Sequence, residues 1–439
     1  LRRAAQRPWG AARSLIATWV VATLSACAPP ASGETGSAGS TTGEPCPTPP
    51  EPFCRSAPID FEVIVAESGG FTVEADAVRG LGDVNGDGLD DLAIGRFVVF
   101  SELDPAPLVA SDEAALAERG FGITWMYDDA SPEAQAVGDV NGDGLDDVLV
   151  LRDDDALAWV VFGKEDLGPV DIADVAAGLG GFAITEVDSV AANAPLGDVD
   201  GDGLADLALR TSDSGELRVV RGKANGDPLP LALTEPLATT DGYAEVAAGD
   251  FDGDGVIDIA SCVESLEILS APDGWGAPAR VSTALEYNCT GRRLFSGDFT
   301  GDGVDDLAFN AQLDSVVTGI VPGPLPLTEA AIPGDLSIFF GGYSGAILAD
   351  IDGDGAAEAL MAGYGEDGYQ DASLWAWRLE NVHAHRDTPR GCPVPRDPIR
   401  AAEDDVGGQL IGDVNGDGRI DIFAPGADVV ITEVCDLAP

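Results

Sequence analysis

From about residue 59 onward the chain is a succession of short apolar runs separated by polar turns. Examples are Leu92-Ala93-Ile94, Val148-Leu149-Val150-Leu151, Leu207-Ala208-Leu209, Leu307-Ala308-Phe309 and Ile422-Phe423. A second run follows most of them after a turn, as in Phe97-Val98-Val99-Phe100, Trp159-Val160-Val161-Phe162 and Val429-Val430-Ile431. A Gly-Phe-x-aliphatic stretch recurs at Gly70, Gly120 and Gly181. Apolar runs this short, punctuated by turn residues, predict β-strands and an all-β fold.

Each first run is preceded by one acidic nonapeptide, present seven times. The copies start at Asp83, Asp139, Asp198, Asp250, Asp298, Asp350 and Asp413 and lie 55 residues apart on average. Repetition at a fixed period indicates a repeat architecture. A period of this length holds four strands with their connections, the content of one β-propeller blade. The expectation is a seven-bladed β-propeller over residues 59–439, with a calcium-binding loop in each blade. Phe61-Glu62-Val63-Ile64-Val65 is a candidate to complete the last blade and join the chain ends.

The nonapeptides place oxygen side chains at positions 1, 3, 5 and 9, with glycine at position 6. The candidate ligands are Asp83, Asn85, Asp87 and Asp91 in loop 1, and Asp139, Asn141, Asp143 and Asp147 in loop 2. Loop 3 offers Asp198, Asp200, Asp202 and Asp206, and loop 4 offers Asp250, Asp252, Asp254 and Asp258. Loop 5 has Asp298, Thr300, Asp302 and Asp306, and loop 6 has Asp350, Asp352, Asp354 and Glu358. Loop 7 closes the series with Asp413, Asn415, Asp417 and Asp421. Alternate oxygens around a tight turn suit Ca2+, which takes six to eight hard oxygen ligands. Two carboxylates about 4 Å apart repel by about 4 kcal/mol at an effective dielectric of about 20, so such loops call for a cation. Up to seven structural calcium sites are expected. Thr300 and Glu358 depart from the pattern and point to weaker or altered binding in loops 5 and 6. Position 12 is never acidic, which excludes the helix-loop-helix calcium hand.

The D-x-[DN]-x-D-G-x-x-[DE] loop followed by a strand resembles the FG-GAP (VCBS-type) repeat, the blade of the integrin α-subunit N-terminal propeller. Phe162-Gly163 and Phe340-Gly341 carry the FG dipeptide itself. The resemblance implies calcium loops on one face of the disc and partner binding on the opposite face.

Charge narrows the function. The formal net charge is −54, and the 77 acidic residues against 23 basic ones exclude a nucleic-acid binder. Of those acids, 27 fall within the seven nonapeptides. Arg2, Arg3, Arg7 and Arg13 precede the apolar stretch from Leu15 to Leu24, and Leu24-Ser25-Ala26-Cys27 resembles a bacterial lipobox. Residues 28–52 are rich in Pro, Gly, Ser and Thr and read as a tether. The expected organisation is a lipoprotein signal peptide at 1–26, lipidated Cys27 with a tether to residue 58, and the propeller thereafter. Localisation would be the bacterial cell envelope, at the outer membrane or cell surface. Six further cysteines suggest disulfides, with sequence proximity favouring Cys46–Cys54, Cys262–Cys289 and Cys392–Cys435 among 15 connectivities.

No H-E-x-x-H, Walker or Cys-x-x-Cys motif is present. His383 and His385 have metal-ligand spacing, and Trp375 and Trp377 share one strand face, but a polar connector and blade packing account for them. The expected function is a non-enzymatic, monomeric binding or adhesion module for protein or glycan. The alternatives are a lectin with sugar sites between blades and a polysaccharide-acting enzyme.

Overall fold

The computed structural model describes residues 70–75, 77–103, 106–124, 133–152, 157–185, 190–211, 216–231, 234–239, 245–262, 266–270, 279–282, 294–312, 316–325, 338–341, 346–349, 358–364, 372–378, 397–402, 409–424 and 429–432. All belong to the unit formed by Pro49–Asp387 and Val394–Pro439; a second unit, Leu1–Thr48 with Thr388–Pro393, contains none of them. Strands dominate, with two short helices, Glu113–Ala117 and Ile172–Ala176. No described helix is long and apolar enough to cross a membrane.

The acidic loops organise the strands. Each loop joins a first strand to a second, and its ninth residue opens that second strand. In the first repeat these strands are Val78–Gly82 and Asp91–Ile94. A third strand, Phe97–Val99, and a fourth, Gly120–Thr124, complete the antiparallel sheet. The pattern recurs in seven sheets of four or five strands. Among the described residues no sheet closes on itself. First strands of successive sheets lie side by side: Val78–Gly82 touches Glu133–Gly138, which touches Val190–Gly197, then Glu245–Gly249, then Leu294–Gly297. Val78–Gly82 also touches Gln409–Gly412, the first strand of the last sheet.

This arrangement explains the unbroken apolar runs. Side chains alternate between the two faces of a strand. Leu92 and Ile94 pack with Phe71, Ile411 and Phe423 of the last sheet, whereas Ala93 packs with Val148 and Val150 of the next one. Val148 and Val150 face back to the first repeat, and Leu149 and Leu151 face forward to Leu207 and Leu209. Both faces of a second strand are therefore core, so no polar alternation is visible in it.

The first and last described strands share a sheet. Gly70–Glu74 pairs antiparallel with Val429–Ile431, with Gly70 opposite Ile431 and Thr72 opposite Val429. Phe61–Val65 lies outside the described residues. Gly120–Thr124 and Gly181–Thr185 play the same role for the first and second sheets, so the Gly-Phe stretches end the preceding sheet rather than start a new one. Glycine begins them because a Cβ at Gly70, Gly120 or Gly181 would sit 2.2, 1.9 or 2.0 Å from a carbonyl oxygen of the third strand. The outer edges of these three sheets are covered by two-residue parallel strands from the following repeat, Leu108–Val109, Val170–Asp171 and Leu229–Pro230. Covering an edge removes a template for unwanted pairing. Separate sheets, side by side, with the chain ends sharing one of them, make a propeller-like fold.

Phe340-Gly341 is on a fourth strand, Ile338–Gly341, and so is not the counterpart of Phe162-Gly163, which follows a third strand. Cys262 ends a strand, while the other cysteines, His383 and His385 lie outside the described residues. Trp375 and Trp377 are on strand Ala372–Arg378.

Candidate functional site

Six of the seven loops are described, and they share one hydrogen-bond frame. Residues 350–357 of loop 6 lie outside the described residues, and Glu358 opens strand Glu358–Tyr364. In loop 1 the Asp83 carboxylate accepts the backbone N–H groups of Gly86, Asp87 and Gly88 at 2.7, 3.0 and 2.9 Å. Asp139, Asp198 and Asp413 do the same in loops 2, 3 and 7. Asp250 and Asp298 each take the amides of positions 5 and 6. At position 3, Asn85, Asn141, Asp200, Asp252 and Asn415 accept the position 5 N–H. The position 5 aspartates accept the position 7 N–H at 2.9–3.0 Å in all six loops. Short-range Asp/Asn-to-backbone bonds of this kind favour tight turns over strand or helix. They turn one side chain after another toward the loop interior.

The ninth residue anchors the loop to the sheet. Asp91, Asp147, Asp206 and Asp306 are 0% exposed, Asp421 1% and Asp258 2%. Asp147 accepts the Val140 N–H at 2.9 Å with one oxygen and the Gly163 N–H at 2.8 Å with the other. Asp91 bonds Val84 and Ser101, Asp206 bonds Val199 and Gly222, and Asp306 bonds Thr300 and Gly323. The glycine is demanded by space: a Cβ at Gly163 would lie 2.6 Å from the Asp146 carbonyl oxygen and 2.8 Å from that of Val84. Gly222 is equally confined, although Arg221 rather than phenylalanine precedes it. Loop 5 departs from the frame, since Thr300 rather than Phe299 donates its N–H to Asp306, and its side chain bonds the same carboxylate.

Loss of solvation pushes these buried carboxyls up: Asp147 and Asp421 to about 8, Asp91 and Asp258 to about 7, Asp206 and Asp306 to about 6. Neighbouring loop carboxylates add to the rise, and the accepted N–H bonds oppose it. A carboxylate oxygen that accepts one bond keeps another lone pair. One oxygen goes further: Asp421 Oδ1 is buried and has no hydrogen-bond partner. In loop 3, oxygens of Asp198, Asp200 and Asp206 lie within 4.8 Å of one another, as do those of Asp250, Asp252 and Asp254 in loop 4. An all-oxygen donor set, converging and short of counter-charge, fits a hard divalent cation.

Two kinds of residue at the loops escaped the motif. Position 8 is Asp in loops 1, 2 and 5, and Asp90, Asp146 and Asp305 each reach the neighbouring loop. The doubled aspartate ending those nonapeptides was the available signal. The second is Arg221, whose guanidinium pairs with Asp200 of loop 3. Lys164 and Lys223, the chain's only lysines, are structural counterparts of one another. Each lies over a phenylalanine ring, of Phe121 at 4.8 Å and Phe182 at 4.5 Å, and donates to the carbonyl four residues on.

Residues 198–261 match the family model described as FG-GAP-like repeat. Over this stretch the chain is similar to an FG-GAP-like repeat. The matched stretch starts on Asp198 of loop 3 and runs through loop 4, so it takes in one full period. Among solved structures the chain is similar to BBS1N in its complex with ARL6DN, at 10% identity over 83% of this chain and 92% of that one, with a TM-score of 0.42. It is similar to the N-terminal domain of Nup159 at 12% identity, covering 88% and 96%, with a TM-score of 0.40. Similarity to the Bacillus licheniformis rhamnogalacturonan lyase PL11 is at 14% identity over 67% of this chain and 55% of the lyase, with a TM-score of 0.34. No curated protein matches the chain. In the acidic repeats, the glycine beside the ninth residue keeps its place where its phenylalanine does not, at Gly222 and Gly323.

Proposed function

We propose that this protein is a calcium-stabilised, seven-bladed β-propeller, anchored to a bacterial envelope through Cys27, that serves as a non-enzymatic binding or adhesion module for protein or glycan. The observation that carries the reading is recurrence. Six described loops repeat one frame of converging oxygens, each ending in a buried carboxylate pushed up by lost solvation. Calcium would supply the missing positive charge, held by positions 1, 3, 5 and 9 with the carbonyl of position 7. Seven sheets, most of them with neighbouring first strands, support the blade number. The acidic remainder of the surface disfavours polyanionic partners.

At a tenfold excess over Kd, one occupied site stabilises by about 1.4 kcal/mol. Removing calcium with EGTA is expected to lower Tm by roughly 10 °C across several sites, and calcium to restore it. An unchanged Tm after verified removal would sink the structural-calcium reading. Cross-linking on intact cells followed by mass spectrometry identifies the partner. Turnover of a polysaccharide panel by the purified chain would overturn the non-enzymatic assignment. A Cys27→Ser chain that still fractionates with membranes would overturn the lipid anchor.

A further inference from the structure

In loops 1, 2, 3 and 5 the eighth residue of the nonapeptide joins its loop to the loop before it. Asp146 of loop 2 donates its N–H to the Asp83 carbonyl at 2.9 Å, and its Oδ2 accepts the Asp83 N–H at 2.9 Å. Asp90 of loop 1 holds Asp413 of loop 7 in the same two-way grip, at 2.9 and 2.7 Å. Asp305 holds Asp250 likewise, at 3.3 and 2.8 Å. Between loops 3 and 2 only the backbone half is made, from the Ala205 N–H to the Asp139 carbonyl at 2.8 Å. The gripped residue is always the first ligand position, whose carboxylate gathers the loop amides. The gripping residue is always covalently next to the ninth ligand position of its own loop.

We propose that Asp146, Asp90 and Asp305 are positioning residues that couple cation binding in one loop to cation binding in the loop before it. The proposal rests on the calcium reading above. A cation that orders Asp147 in loop 2 also orders Asp146, and Asp146 fixes both peptide groups flanking the Asp83 Cα. Part of the ordering that loop 1 needs is then already done, which is positive coupling. The grip of Asp90 on Asp413 carries the coupling across the junction of the chain ends. Site-to-site couplings typically change affinity five- to 150-fold, and a single part-buried grip belongs near the low end, about fivefold.

Hydrogen–deuterium exchange resolved by peptide, over a calcium titration of the full chain, reads each loop separately. Asp143→Asn disables an exposed ligand of loop 2 only. It is expected to raise the calcium midpoint of loop 1 about fivefold, leaving loop 4 unchanged. In a second chain that also carries Asp146→Ala, a change the frame tolerates at Ala205, Asp143→Asn is expected to leave the loop 1 midpoint where Asp146→Ala alone puts it. A structural role for Asp146 alone would not produce that dependence. The proposal is overturned if Asp143→Asn leaves loop 1 unchanged in the otherwise natural chain, or shifts it equally with and without Asp146→Ala. Absence of calcium-dependent protection in every loop of the natural chain would remove the calcium reading, and this proposal with it.

Discussion

Loops 2 and 3 belong to consecutive repeats and share every backbone feature of the frame, yet three side chains set them apart. Position 3 is Asn141 in one and Asp200 in the other; position 8 is Asp146 against Ala205. The residue before the confined glycine is Phe162 against Arg221. Phe162 packs edge to face on Phe182 at 6.0 Å, whereas Arg221 turns onto Asp200. The ninth carboxyl stands at about 8 in loop 2 and about 6 in loop 3, lost solvation being the main cause of both rises. In these two loops the frame is thus set by aspartate–amide bonds and one glycine, whose place Ser101 takes in the first repeat, and the charge balance around it differs between them.

If the frame is common, its removal should cost the same in both loops. Asp147→Ala and Asp206→Ala each leave two amides without acceptors, those of Val140 and Gly163 or of Val199 and Gly222. At about 1–3 kcal/mol for each buried group left unmade, the expected loss is about 4 kcal/mol at either site. Urea unfolding in EGTA measures it without the cation; a loss below about 1 kcal/mol at Asp206 alone would break the equivalence.

Next in size is the glycine. Gly163→Ala and Gly222→Ala each drive a Cβ against backbone carbonyl oxygens at 2.6–2.8 Å. Overpacking of this kind costs about 2 kcal/mol, and it should do so equally with phenylalanine or arginine beside it. Melting curves showing a loss only at Gly163 would restore the phenylalanine as part of the requirement.

These pairs also separate what the chain discloses locally from what it does not. Second strands, loops and turn glycines are legible because their signals are short: an apolar run after D-x-[DN]-x-D-G. The closing strand needed a pairing between Gly70 and Ile431. Its signal was present, since Gly70-Phe71 matches Gly120-Phe121 and Gly181-Phe182, but which sheet a strand joins is a long-range property. Phe340-Gly341 shows the reverse failure, a dipeptide match that falls on a fourth strand instead of after a third. Asp90, Asp146 and Asp305 looked like surplus charge because their hydrogen bonds run to another repeat. The Arg221–Asp200 pair joins residues 21 positions apart across two turns, beyond any local pattern.

Acidity should separate the loops by smaller amounts. A ninth carboxyl raised above its usual 3.8 is protonated in the cation-free fold at low pH. It therefore stabilises that fold fully below about 3.8, and the contribution is lost as pH rises through about 8 in loop 2 and about 6 in loop 3. Calcium replaces the lost proton, so the calcium-induced rise in Tm should grow by several degrees between pH 5 and pH 8. In a peptide-resolved exchange titration, loop 2 should lose calcium affinity on acidification below about pH 8 and loop 3 only below about pH 6. Parallel titrations of the two loops would show that burial does not distinguish their ninth carboxyls.

The smallest effect is expected at Arg221. Its side chain is 47% exposed and that of Asp200 12%, so the pair is partly screened and worth at most about 1 kcal/mol. It nevertheless places a positive charge on a ligand position, where a cation would have to compete with it. Arg221→Phe installs the residue that repeat 2 already carries at this place, so the sheet has a precedent for it. The substitution is expected to lower the calcium midpoint of loop 3 about threefold and to leave loops 1 and 2 unchanged. In EGTA the same chain should melt slightly lower, because Asp200 loses its paired guanidinium when calcium is absent. Those opposite signs, higher calcium affinity with lower calcium-free stability, are what an internal counter-cation predicts. A fall in both would instead mean that Arg221 serves packing of the third strand.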